Sequence, residues 1–248
     1  MIDFTLEKYK ELCQTLQKKY RTYTVYEYIV HKPDDNSVIV RHDVDRKLMN
    51  SLFMAELEHS LGIQSTYYFR YPYTFNKEVI RKIYRLGHEV GYHYEVLSKT
   101  HGDYQKAITL FNQELQEFRK ICNIHTIAMH GSPLSKFDNR DLWKNFRFKD
   151  FGIVGEAYFS LTGMTYFSDT GRNWAGHHNM RDYLDQSDAS QECSSTDELM
   201  HALQANPYPQ VYLSIHPERW SNSNLAWILQ YSTDLILNSG KKMISLTR

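Results

Sequence analysis

Two carboxylates separated by one residue, Asp43 and Asp45, are the groups in this chain best placed to do chemistry. On an extended backbone, residues i and i+2 project to the same side, so both acids share one face. Holding two like charges together out of water is costly unless a cation sits between them, a base is needed there, or Arg41 and Arg46 neutralise them. The structural alternative is a helix cap with a salt bridge. Three histidines have a similar placement. His93 closes the run Glu89-Val90-Gly91-Tyr92 and is followed by Glu95, His130 opens His130-Gly131-Ser132-Pro133, and His216 follows Leu213-Ser214-Ile215 and precedes Pro217. Each ends an apolar run just before a turn signal. Imidazole and carboxylate offered from two strand ends make a site for a divalent cation, with Asp45 and His93 as ligands and zinc as the expected ion.

Such groups meet only if several elements end at one place. Leu6, Tyr9, Leu12, Cys13, Leu16 and Tyr20 have helical spacing, which predicts an amphipathic helix over 4–20. Runs dense in β-branched or alternating apolar residues predict strands at 38–40, 65–69, 88–92, 124–129, 153–158, 164–168 and 211–215. Helical patterns lie between them, through Leu52 to Leu61, Val79 to Leu86, Tyr104 to Cys122 and Asp197 to Ala205, with a last one over Leu225 to Leu237. Gly62 and Gly87 stop two of these helices. Strands alternating with helices give βαβ units and a parallel sheet. About seven strands fit either an open doubly wound sheet or a barrel of the triosephosphate-isomerase type with one unit lost. Both architectures gather sites at the carboxyl ends of the strands, where Arg70, His93, His130 and His216 fall.

The 248 residues, 42% of them hydrophobic, contain no repeat or long linker, so one domain over 1–248 is expected. With 29 basic and 29 acidic residues there is no overall field to attract nucleic acid or an anionic membrane. No apolar stretch approaches the ~20 residues of a membrane span, and Met1-Ile2-Asp3-Phe4 does not begin like an export signal, so a cytoplasmic location is expected. Cys13, Cys122 and Cys193 are odd in number and far apart, which predicts reduced structural thiols. No G-x-G-x-x-G, G-x-x-x-x-G-K or G-x-S-x-G element occurs, which argues against dinucleotide, nucleoside-triphosphate and serine-hydrolase chemistry of the usual forms. His177-His178 read as a solvated loop, and His88 and His125 as structural.

The ordered set His42-Asp43-Val44-Asp45, Gly87-His88-Glu89-Val90-Gly91-Tyr92-His93 and Leu213-Ser214-Ile215-His216-Pro217 resembles the NodB-homology polysaccharide deacetylases of carbohydrate esterase family 4. The strings Met129 to Pro133, Ser135 to Arg140 and Tyr166 to Arg172 resemble a divergent bacterial branch linked to O-antigen and surface-glycan biosynthesis. The resemblance implies an α/β fold, a distorted (β/α)7 barrel, and metal-dependent removal of an acetyl group from an N-acetylated sugar. It implies Asp43 as general base, Asp45 and His93 as metal ligands and His216 as general acid. Leu97 stands where the family has its second histidine ligand, so His130, Glu95 or His101 is expected to complete the set. The family's Arg-x-Pro segment is replaced by His130-Gly131-Ser132-Pro133. Asp169 is a candidate neighbour for His216, and Arg70, Asp169, Arg172 and Trp174, with Tyr166, are candidates for holding the sugar. Two other readings stay open: an inactive protein of this fold that binds a glycan, and an amide hydrolase acting on another acyl group.

Overall fold

The computed structural model describes residues 2–33, 36–132, 135–174, 193–205, 208–223 and 225–232. Strand β1 (Arg21–Tyr23) is followed by β2 (Ser37–Val44), β3 (Thr66–Phe69), β4 (Glu89–Tyr94), β5 (Thr126–Met129), β6 (Gly155–Glu156), β7 (Thr165–Ser168) and β8 (Gln210–Ile215). The helices are α1 (Leu6–Gln17), α2 (Val25–His31), α3 (Leu48–Ser60), α4 (Lys77–Arg85), α5 (Val96–Lys99), α6 (Tyr104–Arg119) and α7 (Thr196–Ala205). Residues 225 to 232 are also helical. Among the described residues, no helix is long and apolar enough to cross a membrane.

All strand pairs are parallel, and their order, β6-β5-β4-β3-β2-β8-β7, decides between the two expected architectures. Strands adjacent in sequence pair in turn from β2 to β6, and β8 returns to pair with β2. That is the cyclic order of a seven-stranded barrel, and among the described residues β6 and β7 are not paired with each other. Strand β1 lies outside the ring order and extends the β3 side of β2, pairing Arg21 with Ser37 and Tyr23 with Ile39.

Two apolar clusters lie around the strands. Tyr67, Phe69, Val90 and Tyr92 face Ile80 and Ile83 of α4 and Phe111, Leu115 and Phe118 of α6. Val38, Val40, Val211 and Leu213 face Leu12 and Leu16 of α1 and Leu199 and Leu203 of α7. Helix ends are set locally: Thr24 and Glu27 form a capping box on α2, and Asp103 caps α6 through the Lys106 amide.

Alternation sorts the same strands into outward and inward sets. On β2, His42 faces the helices, where its Nε2 meets Glu58 of α3 at 2.7 Å and Tyr67 stacks on its ring. Arg41 and Asp43 face the barrel interior beside Tyr158 and Tyr212. On β4, Gly91 is the inward residue beneath His93, and a Cβ there would lie 2.2 Å from Tyr68 Cε1 and 2.9 Å from the Thr126 carbonyl oxygen. Only glycine lets the Tyr68 ring fill that layer.

Some bounds differ from those expected. Strand β4 runs to Tyr94, which places His93 inside the strand. The strand expected over 153–158 contracts to two residues, and the helix expected over 4–20 stops at Gln17. His177, His178 and the last part of the helix expected over 225–237 lie outside the described residues.

Candidate active site

At the carboxyl end of the barrel the two acids are compensated in different ways. Asp43, 2% exposed, accepts two charge-assisted hydrogen bonds from Arg41: Nε to Oδ1 at 2.7 Å and Nη2 to Oδ2 at 2.6 Å. Asp45 has no such partner. Its Oδ1 is buried and accepts no hydrogen bond, yet His93 Nε2 and His130 Nε2 each stand 3.5 Å from it. His93 Nε2 also lies 3.6 Å from Asp43 Oδ2.

Both rings are anchored from behind. His93 Nδ1 meets the Ala128 carbonyl oxygen at 3.0 Å, and His130 Nδ1 meets Glu95 Oε2 at 2.9 Å. With Nδ1 facing those oxygens, each Nε2 is turned toward Asp45, offering a lone pair when the ring is neutral and an N–H when it is protonated. Glu95 is held in turn by Arg70, whose Nη2 lies 2.8 and 3.0 Å from its two oxygens, and by Ser132 Oγ at 3.0 Å.

Burial opposes charge on Asp45, but His130 and His93 outweigh it and hold its carboxyl well below the usual range. Burial likewise opposes charge on His130, but Asp45 and Glu95 push it up to about 9. The pocket therefore favours a cation. Donors 2.0–2.2 Å from one tetrahedral ion stand about 3.3–3.6 Å apart, which the two 3.5 Å edges sharing Asp45 Oδ1 match. Among the described residues no three His, Cys, Asp or Glu side chains stand assembled as a metal site. The convergence is pairwise on one carboxylate oxygen, and Asp45, His93 and His130 are the groups that fit a divalent ion there.

At the end of β8, the neighbour of β2, His216 Nδ1 lies 2.7 Å from Asp169 Oδ1. Asp169 also accepts from the His216 amide at 3.0 Å, Arg219 Nη1 at 2.7 Å and Trp220 Nε1 at 2.9 Å. Burial raises the Asp169 carboxyl, but Arg219 and His216 prevail and bring it down to about 2. Burial and Arg219 work against charge on His216, yet the charge and hydrogen bond of Asp169 leave its pKa raised. Glu218, fully inside, faces the field of Asp45 and meets Arg46 at 3.4 Å.

Several expected roles are corrected. Trp174 is 1% exposed, packs near Phe4 and Trp220, and donates Nε1 to Thr196, so neither ring face is open to a sugar. Tyr166 is buried against Tyr212. Asp169 has both oxygens committed to His216, Arg219 and Trp220, which makes it a support for His216 and not a substrate contact. Arg70 is committed to Glu95, and Glu95 to His130, so neither is a free ligand or sugar contact. Arg172 stands over the Phe4 and Trp227 rings and donates to the Arg219 carbonyl at 3.2 Å. His101 is exposed in a left-handed turn after α5, away from the ligand cluster. Leu97 is buried in the core cluster on α5. The sequence reading did not single out Arg219 or Trp220; the string Pro217-Glu218-Arg219-Trp220, directly after His216, was the available signal.

No family model matches the chain, and no curated protein matches it significantly. Among solved structures it is similar to a family 4 carbohydrate esterase from Bacillus anthracis, at 13% identity and a TM-score of 0.44, over 92% of this chain and 84% of that one. It is similar to a CE4 esterase from Streptococcus mutans at 11% identity and a TM-score of 0.46, over 92% and 90% of the two chains. It is similar, too, to a CE4 family pseudoenzyme from Bacillus anthracis, at 12% identity and a TM-score of 0.48, over 84% of this chain and 62% of that one, less than two thirds of its length. At such identities and scores the likenesses assign no activity, substrate or ligand to this chain.

Proposed function

We propose that this chain is a metal-dependent hydrolase that removes the N-acetyl group from an amino sugar of a surface polysaccharide or its precursor. The observation that carries this reading is the unequal treatment of two neighbouring acids. Asp43 is balanced by Arg41, whereas the buried Oδ1 of Asp45 has two imidazole nitrogens at 3.5 Å and no hydrogen bond. A buried carboxylate oxygen that accepts no hydrogen bond is costly unless a positive charge compensates it, and two imidazole nitrogens at the same distance from it suit a metal ion that displaces the imidazolium proton. Asp45, His93 and His130 would hold that ion, with zinc suited to a carboxylate and two imidazoles. His130 then takes the place left by Leu97.

A divalent ion bound there supplies a Lewis acid and a water acidic enough to react near neutral pH. The chain's own residues do the rest. Asp43 accepts the proton from water as the new C–O bond forms at the acetamide carbon. His216, held by Asp169 through Nδ1, its protonated form favoured by that carboxylate, donates from Nε2 to the sugar nitrogen as the C–N bond breaks. Acetate and a free amine result.

A second reading is favoured by the absence, among the described residues, of three side chains already assembled for a metal: a protein of this fold that binds a glycan without turning it over. Metal content of protein purified with and without added zinc, together with acetate release from a panel of N-acetylated and N-formylated sugars, separates the two. The proposal expects one zinc per chain, acetate release by the wild type, and an Asp43→Asn variant that keeps its zinc and loses turnover. A chain that takes up no zinc, or an Asp43→Asn variant with normal turnover, overturns it.

A further inference from the structure

Taking His216 as the acid, as above, we infer that Trp220, clamped by Phe4 from the start of the chain, is a positioning residue: its indole N–H sets the Asp169 carboxylate that orients His216. Asp169 is fully buried, and each of its oxygens meets two groups. Oδ1 lies 2.7 Å from both His216 Nδ1 and Arg219 Nη1, and Oδ2 accepts from the His216 amide at 3.0 Å and from Trp220 Nε1 at 2.9 Å. With Arg219 on one oxygen and the amide on the other, the carboxylate can still rock about the line joining its two oxygens. A further directional donor at Oδ2 opposes that rocking, and the plane of the carboxylate decides where the imidazole on Oδ1 points.

Trp220 is itself held from outside the barrel. It is fully buried, and the rings of Phe4 and Tyr9 stand 5.0 and 5.1 Å from its own, centre to centre, with Trp174 at 6.3 Å. Phe4 reaches that place in the left-handed region, at φ +57°, which a bulky residue adopts only where its surroundings fix it. The surroundings here come from three later parts of the chain. The Ser221 amide donates to the Phe4 carbonyl at 3.0 Å, and the Leu6 amide to the Ser221 carbonyl at 3.0 Å. Asp3 accepts from the Thr196 amide through Oδ2 at 2.8 Å and from Trp227 Nε1 through its carbonyl at 2.7 Å, while its Oδ1 accepts from the Phe4 amide at 2.7 Å. Ser221 directly follows Trp220, so the same ties that bend the chain at Phe4 also fix the backbone that carries the indole. Any large apolar ring at 220 would fill the space between Phe4 and Tyr9. A buried indole adds an N–H that needs an acceptor, and the acceptor it has is the carboxylate behind the proposed acid.

The test compares Trp220→Phe, which keeps a ring and removes the N–H, and Phe4→Ala, which removes the clamp and keeps the indole, with the wild type. The readings are kcat, KM, zinc content and the position of Asp169 and His216 in zinc-free crystals. Misplacing a reacting group by about 1 Å costs about 100-fold in rate; with the other contacts of Asp169 intact, Trp220→Phe is expected to lose about 3- to 10-fold in kcat, with KM and zinc content unchanged. Phe4→Ala, which touches neither Asp169 nor His216, is expected to lose less, about 2- to 3-fold, through a displaced indole. In Trp220→Phe crystals the Asp169 carboxylate should be tilted and His216 turned with it. Loss of thermal stability alone, with Asp169 unmoved in Trp220→Phe crystals, overturns the inference, and so does a normal kcat in that variant. If Trp220→Phe does not fold, Phe4→Ala decides: a normal kcat, or a lowered one with the indole still on Asp169, overturns it. If the wild type releases no acetate, the functional reading fails, and the position of Asp169 in the crystals alone decides the role of Trp220.

Discussion

Replacing Glu95 by Gln probes the support behind the proposed metal ligand without changing its shape. Glu95 Oε2 accepts from His130 Nδ1 at 2.9 Å, and its carboxylate is shared with Arg70 and Ser132. Burial raises the Glu95 carboxyl, but His130 and Arg70 bring it down to about 2, so it acts as an anion throughout the working range. Glutamine keeps one acceptor for the Nδ1–H and loses the charge. A hydrogen bond to a charged acceptor contributes about 1.5–3 kcal/mol and a neutral one about 0.5–1.5, so the substitution removes about 1–1.5 kcal/mol of orientation from His130. That corresponds to about 5- to 13-fold weaker zinc binding. Glu95→Ala, which also strands Arg70, should approach 100-fold, the upper range for a group that orients a metal-bound imidazole. Competition titration against a chromophoric zinc chelator at fixed pH measures both, with thermal unfolding as a check that the fold survives. If both variants bind zinc as tightly as the wild type, His130 is not held for a metal by Glu95, and the ligand assignment fails.

Three more outcomes follow from the same geometry. Asp169→Asn removes the carboxylate that raises His216, so the alkaline limb of the kcat/KM profile should move to lower pH; an unmoved limb excludes His216 as the acid. The pair also stabilises the fold: Asp169, depressed, contributes above the ordinary carboxylate range, and His216, raised, contributes below the ordinary histidine range. The wild type's margin over Asp169→Asn in denaturant titrations should therefore be widest between about pH 4 and 6.5. Glu58→Ala leaves His42, Tyr9 and Tyr67 without their shared buried acceptor and should cost about 3–5 kcal/mol, read as a lowered urea midpoint. Gly91→Ala drives a methyl into the Tyr68 ring and should cost about 1–3 kcal/mol or more, whereas the same change at Gly62, with open space around it, should disturb only its left-handed backbone.

Much of the candidate site was legible because alternation is a strong signal. Asp43, Asp45, His93, His130 and His216 were placed at or near carboxyl strand ends from the run of strands and helices, which left an open sheet and a barrel equally possible; the barrel was implied by the family resemblance and is decided by the strand order. What stayed hidden depends on distance along the chain. Nothing in the spacing of His93 and His130 says that both rings turn their Nε2 to one oxygen of Asp45, because that meeting is made by the pairing of β4 with β5. Trp174, in a polar stretch, looks like a surface ring; it is buried because Phe4 and Trp220, from the two ends of the described chain, close over it. Strand β1 and helix α2 were missed because three residues and seven residues are too short to show a period. The choice of Arg41 over Arg46 as the partner of Asp43 is likewise set by which residue of the strand faces inward.

Strand β2 has a charged or polar pairing on each of its two sides, Arg41 with Asp43 inside and His42 with Glu58 outside. A shift of one residue against β3 and β8 would turn the guanidinium and its acid, still paired, away from Tyr158 and Tyr212 toward greasy helix surface, and swing the imidazole into the lumen away from Glu58. Purely apolar strands can tolerate such a slip as a near-degenerate alternative. Here the threading of the chain is verified twice, once from each side of the wall, before the acidic rim is formed.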